Sequence, residues 1–298
     1  MRVAVDDVRL YFDVEGPALV PGPDGMVERP TVVALHGGPG SDHASLRPDL
    51  SALSDDVQVL YLDQRGHGRS DRSTPDRWNL ETWGDDVYGV CRALGVDRPV
   101  VFGVSFGGAV AVHYAARHPD HPAGLIVDST AAREDIERQC AVFARRGGVE
   151  AAEAARRFLT DRTPESGAQY ARLCLPLYLH ERTPEEMAAV SARSIHSREV
   201  TMYLFRNRDM DLRPHLGRIR CPVLVMVGDD DPVATVDGAR ELVDLLPDAT
   251  LKVVSNCGHA VFREQPDAAV SAMREFLRDR ALWVSRTADN GWSDASAD

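Results

Sequence analysis

A serine, an acid and a histidine in this chain could together carry out acyl transfer. Ser105 lies in the pattern Gly-x-Ser-x-Gly over residues 103–107, one acid lies within residues 229–231, and His259 follows a glycine further on. A serine hydroxyl attacks a carbonyl only when a base takes its proton, and a histidine can act as that base and then as an acid. A carboxylate fixes the imidazole tautomer and stabilises the imidazolium. These residue types therefore predict nucleophilic catalysis.

The serine lies in a sequence typical of a sharp turn between a strand and a helix. Residues 100–104 are apolar, and a helical pattern begins at Phe106 and runs to Arg117. The flanking glycines are needed because bulky side chains would clash where strand and helix approach so closely. The turn places the Phe106 N–H at a helix N-terminus, which favours developing negative charge. We therefore expect Ser105 to project from a sheet beside an anion-stabilising N–H group.

Apolar runs alternate with amphipathic segments over most of the chain. Predicted strands cover residues 31–35, 57–62, 100–104, 124–127, 223–227 and 251–254. Predicted helices cover residues 80–94, 106–117, 236–246 and 266–280. An antiparallel hairpin is expected over residues 2–5 and 8–14, whereas residues 16–30, with four prolines and three glycines, predict a loop. This alternation predicts an α/β fold, with a mostly parallel sheet and helices on both faces, and places the candidate residues at the carboxyl ends of the strands.

The alternation stops between about residues 131 and 213. Helical patterns recur in that segment, at residues 150–159 and 184–193. No strand pattern interrupts them, so we predict a core domain of residues 1–130 and 214–284 with an inserted helical cap of residues 131–213 over one edge of the sheet. Residues 285–298 are small and polar, which predicts a disordered tail.

Two glycine-rich segments give the chain a resemblance to a known family. From about residue 8 to residue 280 it resembles the α/β-hydrolase superfamily. Within that superfamily, the sequences His-Gly-Gly-Pro-Gly at 36–40 and Asp-Gln-Arg-Gly-His-Gly-Arg-Ser at 63–70 resemble the proline iminopeptidase group of serine peptidases. The resemblance implies that the helical cap selects the substrate.

The resemblance also implies roles for individual residues. The family pattern Gly-x-x-Asp selects the last of the three adjacent aspartates, so the implied catalytic triad is Ser105, Asp231 and His259. The implied oxyanion hole consists of the backbone N–H groups of Gly38 and Phe106. One such donor contributes roughly 3–4 kcal/mol of transition-state stabilisation in comparable enzymes.

Other candidate residues have alternative interpretations. Asp128 ends a predicted strand, at the other position where some hydrolases keep the acid. His36 and His67 each lie in a glycine turn and are expected to brace loops rather than to react. A proline separates His118 from His121 and breaks any helix that would align the two imidazoles, so a surface turn is expected there and no metal site.

The substrate-binding residues are expected within the cap, residues 131–213. Iminopeptidases bind the free amino group of their substrate with glutamates in the cap or just after the catalytic aspartate. Here Pro232 follows Asp231, and the cap contains no tryptophan–glutamate pair. The acidic candidates in the cap for this role are Glu165, Glu181, Glu185, Glu186 and Glu199, and their spacing assigns none of them.

Composition excludes several classes of partner. Asp and Glu outnumber Lys and Arg by 46 to 34, and the net charge of −12 argues against nucleic acid or an anionic membrane as the partner. No apolar run approaches the roughly 20 residues of a membrane helix, and no signal peptide is expected. The five scattered cysteines are typical of buried thiols in a reducing compartment, so a cytoplasmic location is expected. The chain has no phosphate-loop motif, and no cofactor is expected.

The sequence therefore predicts a cofactor-free serine hydrolase that cleaves a small ester or amide, in a small molecule or a short peptide. The motif at residues 36–40 favours an aminopeptidase of the proline iminopeptidase type. A carboxylesterase or lactonase is the alternative among enzymes. A ligand-binding protein of the same fold, with little or no turnover, is the alternative outside enzymes, and an intact triad disfavours it.

Overall fold

The computed structural model describes residues 1–23, 25–47, 49–180, 184–207 and 210–282, with only the backbone of residues 184, 187, 190 and 191. The strands in these ranges are β1 (Arg2–Val5), β2 (Val8–Glu15), β3 (Leu19–Gly22), β4 (Gly25–Glu28), β5 (Thr31–Leu35), β6 (Gln58–Leu62), β7 (Val100–Val104), β8 (Gly124–Asp128), β9 (Val223–Gly228) and β10 (Ala249–Val254). The α-helices are α1 (Leu80–Leu94), α2 (Phe106–Arg117), α3 (Ile136–Asp161), α4 (Pro164–Leu173), α5 (Pro184–Arg193), α6 (Arg198–Asn207), α7 (Arg213–Leu216), α8 (Val236–Asp244), α9 (Val261–Glu264) and α10 (Pro266–Asp279).

Eight of the described strands form one sheet, in the order β1-β2-β6-β5-β7-β8-β9-β10. The pairs β1–β2 and β2–β6 are antiparallel, and the other neighbours are parallel. Both faces are covered, since Val33 and Leu35 of β5 pack in one core with helices α1 and α2, and Val32 and Ala34 pack in a second core with α10. Burial on both faces explains why these strands are continuous apolar runs. The predicted α/β fold class is confirmed.

The prediction of a loop over residues 16–30 is wrong. Strands β3 and β4 form a separate two-stranded hairpin there, in which Val20 pairs with Val27. Proline is tolerated in such a strand because one of its edges faces no partner strand and needs no N–H donor. The sequence Pro-Asp-Gly at 23–25, set between two pairs of apolar residues, is a turn signal that accounts for the hairpin.

The other predicted strands and helices of the sheet region are present, with ends that differ by at most two residues. Local chemistry sets several of these ends. The Asn79 side chain accepts a hydrogen bond from the Thr82 N–H at 2.8 Å and begins α1. Gly95, with a φ of +68°, ends the same helix.

Between β8 and β9 the described residues form helices joined by loops, and none of them is in a strand. Helices α3 to α7 lie there, and the predicted helical patterns at 150–159 and 184–193 fall in α3 and α5. Phe143, Ala151 and Tyr170 belong to a small core of their own in this segment. That these helices form a domain distinct from the core stays a prediction, and the expected tail at 285–298 lies outside the described residues. None of the described helices combines the length and the apolarity needed to span a bilayer.

A buried ion pair fixes the loop that follows β6. Arg65 is fully buried, and its Nε and Nη2 atoms donate to the two carboxylate oxygens of Asp86 at 2.8 and 2.7 Å. Nη1 of Arg65 donates to Asp7 at 2.6 Å. The Trp83 indole donates to the Arg65 carbonyl at 2.9 Å and packs edge-on against Phe106, with ring centroids 5.1 Å apart. The ion pair therefore links this loop to the helix that borders Phe106.

Removing one partner of this buried pair is expected to destabilise the fold. Asp86→Ala should lower the free energy of unfolding by about 3–5 kcal/mol, because Arg65 is then left buried without its main partner. Asp85→Ala is the matched control on the same helix, since Asp85 pairs with Arg117 at 2.6 Å on the surface and should contribute about 0–1 kcal/mol. Urea unfolding of both variants measures the difference, and equal losses would contradict the role given to Arg65.

Candidate active site

Ser105 lies at the sharp turn between β7 and α2. Its φ and ψ of +53° and −116° are a strained combination for a residue with a side chain. Its N–H donates to the Asp128 carbonyl at 2.8 Å, which ties the turn to the neighbouring strand. A Cβ added at Gly103 would overlap the Gly107 carbonyl, and one added at Gly107 would overlap the Leu35 carbonyl. Both glycines are therefore needed for the strand and the helix to approach.

His259 lies in the loop after β10 and contacts two of the predicted site residues. Its Nε2 atom lies 3.0 Å from the Ser105 hydroxyl oxygen. Its Nδ1 atom lies 3.0 Å from Oδ2 of Asp231. This geometry fits a ring that donates from Nδ1 to the carboxylate and accepts from the hydroxyl at Nε2. The structure thus brings together the serine, the histidine and the aspartate that the sequence pattern selects.

The three adjacent aspartates after β9 have three different partners. Asp229 accepts a hydrogen bond from the Cys257 N–H at 3.2 Å, which fixes the turn before the histidine. Asp230 forms an ion pair with Arg146 of α3 at 3.2 Å. Of the three, Asp231 is the one whose carboxylate reaches the imidazole of His259.

The carboxylate of Asp231 is fully buried and held by backbone donors. The N–H groups of Val233 and Ala234 donate to its Oδ1 atom at 2.8 and 2.9 Å. Burial alone would favour the neutral acid, but the adjacent His259 and these donors hold the pKa of Asp231 below its usual value. Asp231 is therefore an ionised acceptor beside the imidazole at neutral pH.

Asp128, the alternative acid, is buried nearby but has other partners. Its two carboxylate oxygens accept hydrogen bonds from the N–H groups of Val261 at 3.0 Å and Phe262 at 2.9 Å. Burial raises the pKa of Asp128 to about 6. Asp128 thus fixes the start of α9, which follows His259 closely, while Asp231 bonds to the histidine itself.

The two residues predicted to supply N–H groups to an oxyanion, Gly38 and Phe106, belong to segments beside Ser105. Phe106 is the first residue of α2, so its N–H has no acceptor within the helix. The loop that carries Gly38 passes beside the serine, since a Cβ added at Gly37 would lie 3.6 Å from the Ser105 Cβ. Gly38, Phe106, Ser105 and His259 line one cavity. Their use as an oxyanion hole stays a prediction.

The helical segment is hydrogen-bonded to the loops that carry Gly38 and His259. The Tyr178 carbonyl accepts a hydrogen bond from the His259 N–H at 2.6 Å, and the two rings pack edge-on with centroids 5.2 Å apart. The Thr201 hydroxyl of α6 donates to the Pro39 carbonyl at 3.0 Å. No local pattern in the sequence signals these contacts, because they join residues distant along the chain.

A cavity of about 660 Å³ lies over Ser105 and His259. Its volume suits a small-molecule ligand. The helical segment supplies much of its apolar wall, through Phe158, Tyr170, Leu175, Tyr178, Met202 and Phe205. About half of the residues that line the cavity therefore come from the segment predicted to select the substrate.

The acidic residues proposed from the sequence do not line this cavity where they are described. Glu181 lies outside the described residues, and the lining contains none of the four described candidates, Glu165, Glu185, Glu186 and Glu199. The carboxylate that does line the cavity among the described residues is Glu134, which forms an ion pair with Arg162. Glu134 follows β8 in a loop without a motif, so nothing in the sequence marked it.

A comparison with known families fits this geometry. Residues 30–266 match the family described as having the alpha/beta hydrolase fold. The chain belongs to the α/β-hydrolase family. The matched range begins just before β5 and ends at the start of α10, so it includes both glycine-rich loops, Ser105 and His259 of this α/β-hydrolase.

Known relatives of this α/β-hydrolase differ in their named activities. The proline iminopeptidase PfmaB of Pestalotiopsis fici is 27% identical over 90% of this chain and 98% of its own length. The crystal structure of a proline iminopeptidase-related protein from Thermus thermophilus is similar with a TM-score of 0.73 and 26% identity, over 95% of this chain and 98% of that one. The enol-lactonase of Burkholderia xenovorans has a TM-score of 0.69 and 28% identity, over 93% and 100% of the chains. This α/β-hydrolase thus resembles proteins of the proline iminopeptidase type over most of its length, and it resembles the enol-lactonase over a similar span.

One group of side chains in the described part of this α/β-hydrolase has spacing that would suit a metal ion, namely Asp42, His43 and Asp63. Every carboxylate oxygen in it already accepts a hydrogen bond from a protein donor, including Arg69 and the N–H of Ile195. The group therefore works as a hydrogen-bonded junction between the glycine-rich loops.

The other histidines singled out by the sequence also have protein partners. His36 and His67 are buried in edge-on contact, with centroids 5.0 Å apart, and burial lowers the pKa of His67 to about 3. Burial also lowers the pKa of His36, so both rings are neutral at neutral pH, and their contacts are those of residues that brace the loops. His118 bonds to Asp85 at 2.8 Å, and His121 to the Tyr114 hydroxyl at 2.5 Å, so the two do not converge on a common ligand.

A side chain at Gly107 is expected to disrupt the turn at Ser105. Gly107→Ala should lower the free energy of unfolding by about 1–3 kcal/mol or more, because its Cβ overlaps backbone that cannot move aside. Gly217→Ala is the control, since Gly217 has a φ of −66° and open space around it, and that change should be neutral or stabilise by up to about 1 kcal/mol. Thermal unfolding of both variants gives the comparison, and a Gly107→Ala protein as stable as wild type would refute the close approach.

Proposed function

We propose that this chain is a serine hydrolase that cleaves a small ester or amide through an acyl-enzyme on Ser105. The observation that carries the proposal is the position of His259, whose two ring nitrogens lie 3.0 Å from the Ser105 hydroxyl and 3.0 Å from the Asp231 carboxylate. A histidine held in this way can take a proton from the serine while the aspartate stabilises the resulting imidazolium. An intact chain of hydrogen bonds favours turnover over the alternative of a ligand-binding protein.

The proposed reaction has two halves with the same groups. Ser105 Oγ attacks the scissile carbonyl, His259 takes the hydroxyl proton, and the N–H groups of Gly38 and Phe106 bind the oxyanion that forms. The tetrahedral species collapses, and His259 gives its proton to the departing alcohol or amine. Water then attacks the acyl-enzyme with His259 as base, and the acid is released with the serine restored.

The walls of the cavity favour an ester or lactone over a peptide with a free amino group. The motif at residues 36–40 supports the narrower hypothesis of an N-terminal-residue peptidase. Such a substrate carries an ammonium group that needs a carboxylate partner. Among the described lining residues the carboxylate is Glu134, and Arg162 already occupies it. Carboxylesterase or lactonase activity is therefore the better supported form of the proposal.

Substitution of the nucleophile is expected to abolish reaction with both probe and substrate. Wild-type protein should be labelled by a fluorophosphonate and should hydrolyse p-nitrophenyl acetate, whereas Ser105→Ala should do neither above background. Ser54→Ala is a matched control, because its hydroxyl donates to the Ser51 carbonyl away from the cavity. Labelling that survives in Ser105→Ala would remove Ser105 from the nucleophile role.

The neighbouring aspartates provide an internal control for the acid. Asp231→Asn should lower kcat on p-nitrophenyl acetate by about 10⁴-fold, because an amide no longer holds the imidazole in its reactive tautomer. Asp229→Asn, which can keep its hydrogen bond to the Cys257 N–H, should lower kcat far less. Circular dichroism checks that both variants are folded. A similar kcat for the two variants would contradict the assignment of Asp231.

A further inference from the structure

The cavity of this acidic protein has a cationic lining. The whole chain carries a formal net charge of −12. The ionised side chains that line the described cavity, apart from the carboxylate of Glu134, are those of Arg133, Arg162, Arg198, Arg206 and Arg263. A cationic cavity raises the local concentration of anionic ligands, even in a protein whose net charge is negative.

Three of these arginines have carboxylate partners. Arg133 donates to Glu241 at 3.0 Å, and Arg162 forms an ion pair with Glu134. Nε of Arg263 lies 3.6 Å from the carboxylate of Asp49, which does not line the cavity. These partners offset the positive charges of the three arginines. We therefore assign the three to holding the cavity wall together rather than to binding a charged ligand.

Arg198 and Arg206 differ from the other three. No carboxylate among the described residues lies within ion-pair distance of either guanidinium, and both residues are solvent-exposed. Both belong to α6, eight positions apart, with Met202 midway between them and Phe205 on the same side of the helix. Because residues four apart lie on one face, α6 presents to the cavity an apolar stripe with a cation towards each end.

Helix α6 is fixed against the loop beside the serine. The N–H of Ser197, directly before the helix, donates to the Gly40 carbonyl at 2.8 Å, and the Thr201 hydroxyl donates to the Pro39 carbonyl at 3.0 Å. The two arginines therefore project from a helix whose position relative to Ser105 is set by hydrogen bonds.

We propose that the substrate carries an ionised carboxylate in addition to the scissile ester or amide. Arg198 and Arg206, at the two ends of the α6 stripe, attract this carboxylate, and one of them pairs with it. The inference rests on the proposed hydrolase function of the site. Guanidinium groups bind carboxylates through paired, charge-assisted hydrogen bonds, and the apolar stripe of α6 suits a hydrocarbon spacer between the two functional groups. A free ammonium group at the same place would meet two uncompensated cations. The substrate class is thus half-esters, half-amides or lactones of carboxylated acids.

Rates on matched esters test the charge preference. One series of substrates places a carboxylate at increasing distance from the scissile carbonyl: the p-nitrophenyl half-esters of succinate, glutarate, adipate and suberate. The neutral controls are the same p-nitrophenyl esters with the free carboxylate methylated. The compound 4-butyryloxybenzoate places the carboxylate in the leaving half, and proline p-nitroanilide supplies a cation. We expect kcat/KM to be at least tenfold higher for one anionic ester than for its neutral control, with the ratio falling as salt is added.

Variants of the two arginines assign the preference to residues. Arg198→Gln and Arg206→Gln should each lower kcat/KM for the preferred anionic ester by about 3–10-fold and leave the neutral ester within about twofold. Arg193→Gln on α5 is the control with the same loss of charge, and it lies outside the cavity lining. Neutral esters preferred over all anionic ones, or an anionic rate unchanged in the double variant Arg198→Gln/Arg206→Gln, would overturn the inference.

A binding measurement separates this inference from the proposed function. Calorimetry with monomethyl adipate and Ser105→Ala measures recognition without turnover. With both arginines also replaced, this protein should bind monomethyl adipate at least tenfold more weakly. Its affinity for dimethyl adipate should not change. If wild type hydrolyses no ester while this loss is seen, the hydrolase proposal fails and the anion site stands. Equal affinity for monomethyl adipate with and without the two arginine substitutions would refute the anion site even if esters are hydrolysed.

Discussion

The site depends on one buried hydrogen bond, between the Asp231 carboxylate and the imidazole of His259, 3.0 Å apart. An ionised carboxylate in a fully buried position is stable only with donors on every side, and the backbone after β9 supplies two of them. The parallel sheet makes the encounter possible. Strands β9 and β10 are direct neighbours in register, so the loops at their carboxyl ends emerge side by side, with the loop after β7 close by in the same sheet. The sharp turn between β7 and α2 then brings the Ser105 hydroxyl within 3.0 Å of the His259 imidazole.

Most of the sheet and the elbow could be predicted from the sequence because their signals are local. A strand buried on both faces is recognised as a short continuous apolar run. Gly103 and Gly107 indicate a close approach of two backbone segments that any other residue would obstruct. The choice among three adjacent aspartates had no such signal and came from a family pattern. What distinguishes them is their partners, in the turn at Cys257, in α3 and in His259, and each partner is distant along the chain. The hairpin of β3 and β4 was hidden by a composition that usually indicates a loop.

The helical segment was predictable as helical and little further. Amphipathic patterns identify α3 and α5, but the side chains that enter the cavity depend on how the helices pack over the sheet. Glu134 lies in a loop without a motif, and Arg206 resembles any solvated charge on a helix. The roles inferred for both residues depend on their contacts in the folded protein. Glu134 is paired with Arg162, whereas no carboxylate in the described part of the chain lies within ion-pair distance of Arg206.

The hydrogen bonds that join Tyr178 and Thr201 to the loops carrying His259 and Pro39 have a consequence for divergence within this fold. Under the proposed function, these hydrogen bonds couple the walls that bind substrate to the groups that react. A transplanted lid from a relative brings its own donors and acceptors to the backbone at residues 39 and 259, so it resets the placement of the imidazole along with the binding walls. Under the proposed function, exchange of single side chains along α6 is therefore expected to disturb the imidazole less than exchange of the whole segment.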